Sequence, residues 1–199
     1  MASTEDTETV NTLPKDDQPD DESNEEEIDM EYRMMGGTGL VVSALSFGFW
    51  ASFGLKEGVE KCVSIMRICR KAGINFFDNA EFYGKEGGNP QNPMDLEYAK
   101  ELDAETIMGI SYKKLLEEDP KLWRRSDVCF TTKLFWGGNG HNEKGLSRKH
   151  VAEGMETSLK KLQMDYVDVV FCHRPDPLTP TEEVVRGMSK LVEDGKAFC

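Results

Sequence analysis

Strand-like and helix-like segments alternate along most of this chain, and that alternation restricts the possible fold more than any other feature. Short apolar stretches typical of buried strands are separated by segments whose apolar residues recur at helical spacings. The predicted core strands comprise residues 45–50, 74–77, 128–135 and 166–172. Consecutive strand–helix units of this kind predict parallel strands joined by right-handed crossovers. We therefore expect an α/β fold built on a parallel sheet.

A β-hairpin is predicted ahead of the first core strand, over residues 32–43, because glycines separate its two short β-prone pieces. Apolar residues at helical spacing predict one helix over residues 59–70, and Gly73 is expected to end it. Further helical sequence lies within residues 94–116 and leads to a break at Pro120. The order is thus a hairpin followed by strand–helix units.

The second half of the chain carries clear signals for helix ends and buried strands. Ser147 is expected to cap the third helix. The run Thr179-Pro180-Thr181-Glu182 predicts a capping box with proline at the first helical position of the fourth helix. Residues 166–172 form an apolar run consistent with a strand buried on both faces. Residues 196–199 are interpreted as the beginning of a fifth strand.

The net charge of −13 is concentrated at the amino terminus. Residues 1–31 contain 13 Asp and Glu residues against the single Lys15, which leaves a net charge of only −1 for residues 32–199. Because this segment has few apolar residues and repels itself, we predict that residues 1–30 form a disordered acidic tail. A solvating tail and a regulatory or partner-binding segment are both open. The near-neutral remainder offers no basic face, so nucleic acid is not an expected partner.

The sequence also lacks the signals of secretion and of membrane insertion. Its first residues have neither the positive start nor the apolar run of a secretion signal. No stretch approaches the roughly 20 apolar residues that a membrane-spanning helix needs. The five cysteines are scattered without metal-type spacing. We expect a cytoplasmic protein with reduced thiols, no membrane insertion and no metal site.

The segment 73–84, Gly-Ile-Asn-Phe-Phe-Asp-Asn-Ala-Glu-Phe-Tyr-Gly, places Asp78 and Tyr83 just after a buried strand. Lys133 lies near the end of the third predicted strand, and His173 follows the fourth. Loops at the carboxyl ends of parallel strands converge on one face, so these four side chains are expected to meet there. Taken singly, each also has a structural interpretation, as a turn cap, a half-buried aromatic, a strand-end charge or a core histidine.

Four motifs in this order resemble the aldo-keto reductases, and within them the β-subunits of voltage-gated potassium channels. They are Glu31-Tyr32-Arg33 with Thr38-Gly39-Leu40-Val41-Val42-Ser43, Gly73 to Tyr83, Thr131-Thr132-Lys133, and Phe171-Cys172-His173-Arg174-Pro175-Asp176. The resemblance implies a (β/α)8 TIM barrel whose bottom the hairpin closes. A complete barrel needs about 250 residues. Residues 31–199 are therefore interpreted as the N-terminal half of one: the hairpin, about four βα units and the start of strand five.

The resemblance implies reduction of aldehydes and ketones with NADP(H). It makes Tyr83 the proton donor, Lys133 its ammonium partner, Asp78 the carboxylate that holds Lys133, and His173 the residue that orients the substrate. Tyrosine needs such a partner because its unperturbed pKa is about 10 and a neighbouring ammonium stabilises tyrosinate. Trp50, Asp78 and His173 are the implied cofactor-binding residues.

Two positions refine these expectations. Animal channel subunits tend to have asparagine where active reductases have histidine, so His173 favours retained catalysis. Phe49 replaces the threonine that the family usually carries beside Trp50, and this weakens the match at the cofactor end of the site. Residues 86–104 make the segment between the second and third strands longer than is usual in the family, which indicates an insertion.

The family's later strands supply most contacts to the cofactor, so we expect this chain to be a truncated form with weak or no activity alone. Open edges of a half barrel also predict instability, aggregation or association with a complementary half. The expected partners are a small carbonyl substrate and other copies of the chain. The alternative function is a regulatory β-subunit that binds the α-subunit of a potassium channel, and a non-functional fragment is the third possibility. The carbonyl substrate and the choice between NADPH and NADH stay open.

Overall fold

The computed structural model describes residues 29–50, 58–84 and 103–199. The predictions for the acidic tail and for the insertion therefore fall almost entirely outside the described residues. In chain order the strands and helices are β1 (Tyr32–Met34), β2 (Val41–Ser43), β3 (Phe47–Gly48), α1 (Gly58–Lys71), β4 (Phe76–Asp78), α2 (Ala104–Glu118), β5 (Cys129–Leu134), α3 (Arg148–Leu162), β6 (Val169–Cys172) and α4 (Thr181–Glu193). No helix in these ranges is both long enough and apolar enough to cross a membrane.

Strands β3 to β6 form one parallel sheet in sequence order, and the helices that follow them pack side by side. The core lies between sheet and helices, where the rings of Phe77 and Phe130 stack with centroids 5.7 Å apart. Trp123, only 1% exposed, packs against Phe77 in the same core. The predicted α/β class is confirmed, and the architecture is that of an incomplete (β/α)8 barrel.

The predicted hairpin is also confirmed, since β1 and β2 pair antiparallel with Tyr32 opposite Ser43. The Tyr32 hydroxyl donates to the carbonyl oxygen of Gly73 at 2.7 Å. The Ser43 amide donates to the side-chain oxygen of Asn75 at 2.7 Å. Both partners lie just before β4, so the hairpin is attached at the amino ends of the strands. It therefore leaves the carboxyl ends, where chemistry is expected, to other loops.

Most of the predicted helix ends agree with the structure. Gly73 follows α1 with a φ of +86°, the left-handed conformation that glycine adopts most readily. The Ser147 hydroxyl oxygen accepts a hydrogen bond from the His150 amide at 3.2 Å and so caps α3 as expected. Gly195 follows α4 with a φ of +67°.

The capping box predicted for α4 is wrong. The helix begins at Thr181 with Pro180 as its N-cap residue, and no side chain caps it. The Thr179 hydroxyl, which the capping box needed, instead donates to Asp176 Oδ2 at 2.7 Å. That carboxylate also accepts the backbone amide of Leu146 at 2.7 Å. Asp176 therefore competes successfully for Thr179 and ties the loop after β6 to the loop after β5.

Burial of β6 on both faces is also only partly correct. Val169 and Val170 are buried, whereas Phe171 is 37% exposed and Cys172 is exposed as well. Residues 196–199 run beside the start of this strand, with the Val170 amide donating to the Cys199 carbonyl oxygen at 2.9 Å. This pairing supports the predicted start of a fifth strand. It reaches no further than Val170 within the described residues, which accounts for the exposure of the two residues after it.

Candidate active site

The carboxyl ends of β4, β5 and β6 bring together the four side chains predicted to react. Asp78 is the last residue of β4, and Tyr83 lies in the turn that follows it. Lys133 is the penultimate residue of β5, and His173 directly follows β6. The His173 amide donates to the Leu134 carbonyl oxygen at 3.0 Å, which continues the β5–β6 pairing. This bond positions the backbone from which the imidazole extends.

Asp78 and Lys133 form an ion pair, with 2.6 Å between Oδ2 and Nζ. The parallel register sets Asp78 opposite Thr131, whose hydroxyl donates to Asp78 Oδ1 at 2.8 Å. The Lys133 ammonium also donates to the Asn79 carbonyl oxygen at 2.9 Å. The side chains of Lys133 and Asp78 are only 16% and 26% exposed, so solvent screens the pair weakly. The ammonium is thus held in one position by two fixed oxygens.

Tyr83 lies between the Lys133 ammonium and the His173 imidazole. Lys133 Nζ is 4.6 Å from the centroid of the Tyr83 ring, a cation–π distance. The rings of Tyr83 and His173 are nearly perpendicular, with centroids 5.5 Å apart. The structure therefore brings all four predicted residues into one cluster, linked by an ion pair, a cation–ring contact and a ring–ring contact.

His173 is held neutral around physiological pH. Burial, together with the positive charges of Lys133 and Arg174, lowers the pKa of its imidazole below the usual 6.5. A neutral imidazole donates from one ring nitrogen and accepts at the other. Its Nδ1 is buried and has no hydrogen-bond partner among the described residues. Buried polar atoms are normally paired, so this nitrogen is an exception in the described part of the chain.

Trp50, the predicted cofactor-side residue, lies at the edge of the same cluster. Its ring centroid is 6.4 Å from that of Tyr83, and its side chain is 70% exposed. The preceding amide, that of Phe49, donates to the Asp78 carbonyl oxygen at 3.0 Å and anchors this end of β3. The Phe49 side chain is fully buried in the hydrophobic core. The phenylalanine that stands at position 49 in place of the family's usual threonine therefore has its ring in the hydrophobic core.

These residues fit a nicotinamide. The exposed aromatic ring of Trp50, next to Tyr83, offers a surface for a planar ring. Asp78 has both carboxylate oxygens engaged, one by Thr131 and one by Lys133, although a carboxylate can accept further hydrogen bonds. The side of the site formed by this chain is therefore compatible with the ring end of the cofactor.

Sequence reasoning missed three residues that shape the cluster: Thr131, Asn79 and Glu81. Thr131 and Asn79 hold Asp78 and Lys133 as described above. Glu81 is 4% exposed and accepts a hydrogen bond from the Phe135 amide at 2.5 Å. Its partners lie more than 50 residues away in the sequence, so only the strand register could reveal them. The one available signal for Glu81 was an acidic residue between the apolar residues Ala80 and Phe82.

Similarity to known proteins shows the family of this chain. The family model described as the aldo/keto reductase family matches residues 44–198. A protein of Oryza sativa subsp. japonica named a probable voltage-gated potassium channel subunit beta is 48% identical over 169 residues. An Arabidopsis thaliana protein with the same name is also 48% identical over 169 residues. Each match covers 85% of this chain and 45% of the relative, so the chain spans less than half the length of these relatives.

Proposed function

Since this chain belongs to the aldo/keto reductase family, we propose that it carries the proton-transfer centre of an NADP-dependent reductase of aldehydes and ketones. Tyr83 is the proton donor in this proposal. Members of the family generally use NAD(P)H. The observation that carries the proposal is the position of the Lys133 ammonium, which contacts both the Asp78 carboxylate and the Tyr83 ring.

A bound reduced nicotinamide would supply a hydride to the carbonyl carbon, and the residues of this chain donate the proton and stabilise the developing negative charge. As negative charge builds on the carbonyl oxygen, the Tyr83 hydroxyl donates its proton to that oxygen and an alcohol forms. The Lys133 ammonium, 4.6 Å from the centroid of the Tyr83 ring, stabilises the tyrosinate left behind. Asp78 keeps that ammonium charged and in place, and neutral His173 hydrogen-bonds the substrate oxygen.

We assign this role to residues 31–199 as one portion of a larger barrel. The described strands supply Asp78, Tyr83, Lys133 and His173 from consecutive βα units. The relatives extend over more than twice the matched length. Contacts to the rest of the cofactor are expected to come from chain outside the match, so NADPH binding and turnover by residues 1–199 alone should be weak.

The proposal is tested by substituting Tyr83 in the longest product of this gene that contains these residues. Tyr83→Phe removes the proton and keeps the ring that contacts Lys133 and His173. We expect kcat for small aldehydes to fall by about 10²- to 10⁴-fold, the usual contribution of a general acid. The matched control is Tyr32→Phe, whose hydroxyl bonds Gly73 in the hairpin at the other end of the strands. Equal rates for the two variants would remove Tyr83 from the mechanism.

A second candidate function is a regulatory subunit of a potassium channel. It is favoured by the relatives at 48% identity, both of which are named as probable β-subunits of voltage-gated channels. In this case the reductase fold binds a cytoplasmic part of the channel α-subunit, and the protein is cytoplasmic. Co-purification of the protein with the cytoplasmic domain of such an α-subunit tests this role. Tyr83→Phe should leave that association intact, which separates binding from catalysis.

A further inference from the structure

The turn that carries Tyr83 is attached to β5 by a buried carboxylate that the reaction itself does not use. Glu81 precedes Tyr83 by two residues, and its side chain is 4% exposed. Its backbone amide donates to the Lys133 carbonyl oxygen at 3.2 Å. Its carboxylate accepts the Phe135 amide at 2.5 Å. Glu81 therefore bonds the backbone of Lys133 and of Phe135, on either side of Leu134 at the end of β5. Lys133 is also the residue whose ammonium contacts the Tyr83 ring.

His150, at the start of α3, completes this attachment. Its Nε2 is 3.3 Å from Glu81 Oε1, and its side chain is also only 4% exposed. Burial opposes ionisation of Glu81, but hydrogen bonds from His150 and from the amides of Phe135 and Gly137 outweigh it and lower the pKa of the carboxyl. The carboxylate is thus ionised at neutral pH and engaged by three groups from two segments, the loop after β5 and helix α3.

Two glycines leave the space that this arrangement needs. A Cβ added at Gly137 would lie 2.4 Å from His150 Cε1, closer than real contacts allow. One added at Gly154, on the α3 surface, would lie 3.2 Å from Glu81 Oε2. The loop after β5 and helix α3 therefore each carry a glycine where a side chain would crowd the Glu81–His150 pair, although at Gly137 the Glu143 carbonyl oxygen lies still closer to the added Cβ, at 2.2 Å.

We propose that Glu81 and His150 are positioning residues, which hold the Tyr83 turn against the end of β5 and so set the distance from Tyr83 to Lys133. A contact between two buried polar side chains is weak evidence for stability, because their desolvation offsets much of the attraction. Its effect here is on geometry. Displacement of a reacting group by about 1 Å can cost around 10²-fold in rate. This inference rests on the proposed function for its kinetic consequence, while the attachment itself can be measured without catalysis.

The kinetic test is Glu81→Gln, which keeps the shape of the side chain and removes its charge. We expect kcat to fall by about 10- to 100-fold with KM for the aldehyde changed by less than about twofold, since binding surfaces are untouched. The matched control is Asp168→Asn. Asp168 is another buried carboxylate that accepts a β5 amide, that of Phe130 at 2.8 Å, and pairs with Arg125, but at the amino end of the strands. We expect the Asp168→Asn variant to be less stable than the wild type but to keep the wild-type kcat.

His150→Ala tests the second partner. A cavity of about 280 Å³ borders His150 and Glu81, with Thr157 and Lys161 among its lining residues. Added imidazole can enter the enlarged space, so we expect kcat to fall in His150→Ala and to recover by several-fold in millimolar imidazole. Recovery without any change in the unfolding midpoint supports positioning. Failure of imidazole to raise kcat would exclude a positioning role for His150.

Amide hydrogen exchange tests whether Glu81 attaches the Tyr83 turn to the end of β5, and this test does not depend on catalytic activity. In Glu81→Gln, amides in residues 79–84 and 133–137 should exchange faster than in the wild type, whereas Asp168→Asn should speed exchange near Phe130 instead. Unchanged exchange at 79–84 and 133–137 overturns the inference. So does a parallel loss of kcat in Glu81→Gln and Asp168→Asn. A wild-type protein that reduces no carbonyl refutes the proposed function alone, because the exchange result still tests the attachment.

Discussion

Lys133 is the residue on which the candidate site depends. Its ammonium contacts the Asp78 carboxylate, the Asn79 carbonyl oxygen and the face of the Tyr83 ring. Its charge also acts on His173, whose pKa is lowered first by burial and then by Lys133 and Arg174. One cation therefore acts on both Tyr83, the proposed proton donor, and His173, and the effect of its removal should be measurable at both residues.

Replacement of Lys133 by methionine should raise the pKa of His173. The wild-type imidazole is expected to titrate below 6.5, and the variant closer to 6.5, since an unfavourable positive neighbour is gone. Burial, the larger cause, remains, so the pKa should not recover fully. The measurement is an NMR titration of the imidazole carbon-bound protons, assigned with His173→Gln. Lys149→Met, at an exposed position on α3, serves as the control, and an unmoved His173 titration in Lys133→Met would contradict the described cluster.

The four catalytic candidates could be predicted because each lies in a motif at the end of a predicted strand. Glu81 and Thr131 could not, although they belong to the same motifs. Their roles come from cross-strand partners, Phe135 for the first and Asp78 for the second. Such pairings follow from register, which a sequence with ambiguous strand boundaries does not specify. Asp78, for example, was expected after its strand and is the last residue within it.

At the level of helices and strands, α2 and α3 approach each other closely at Gly109. A Cβ added at Gly109 of α2 would lie 2.4 Å from the carbonyl oxygen of Leu162, the last residue of α3. No side chain larger than hydrogen fits there without moving one helix. Because α3 follows β5 and contacts Glu81 through His150, this packing also supports the site from outside.

Gly109→Ala should therefore destabilise the protein, although alanine is about 1 kcal/mol better than glycine inside a helix. The expected loss is about 1 to 3 kcal/mol, the usual cost of overpacking. Gly187→Ala in α4 is the matched control, since its added Cβ would meet nothing closer than Val151 Cγ1 at 3.5 Å. It should be neutral or stabilising. Urea unfolding of both variants measures the difference, and equal stabilisation by the two substitutions would show that the helices do not approach as described.

The prediction of a helix end failed where the expected capping side chain forms a hydrogen bond with a residue outside the helix. Thr179 has the sequence of a capping residue, yet Asp176 accepts its hydroxyl and also joins two loops of the catalytic face. Local patterns succeeded where no such competitor exists, as at Ser147, which caps α3 as expected. Helix and strand existence thus followed from periodicity, whereas the exact beginnings were decided by tertiary contacts.

At the scale of the whole molecule, the described sheet has two open sides. Leu45 and Trp50 are 62% and 70% exposed on the β3 side, and Phe171 and Phe198 are 37% and 57% exposed on the β6 side. Large apolar side chains in such positions usually contact further protein. The relatives, of which this chain matches 45%, have enough additional length to cover them. We therefore expect further protein to pack on these two sides of the described sheet.

The most direct test of the central claim is isotope transfer from the cofactor to a carbonyl substrate. The longest product of this gene that contains these residues is incubated with a small aldehyde and NADPH deuterated at the hydride position of its nicotinamide ring. The account predicts an alcohol that carries one deuterium on the former carbonyl carbon, formed at a rate that Tyr83→Phe lowers by about 10²-fold or more. An alcohol without deuterium, or equal deuterium transfer by the wild type and Tyr83→Phe, would contradict the assignment of this cluster as a carbonyl reductase centre.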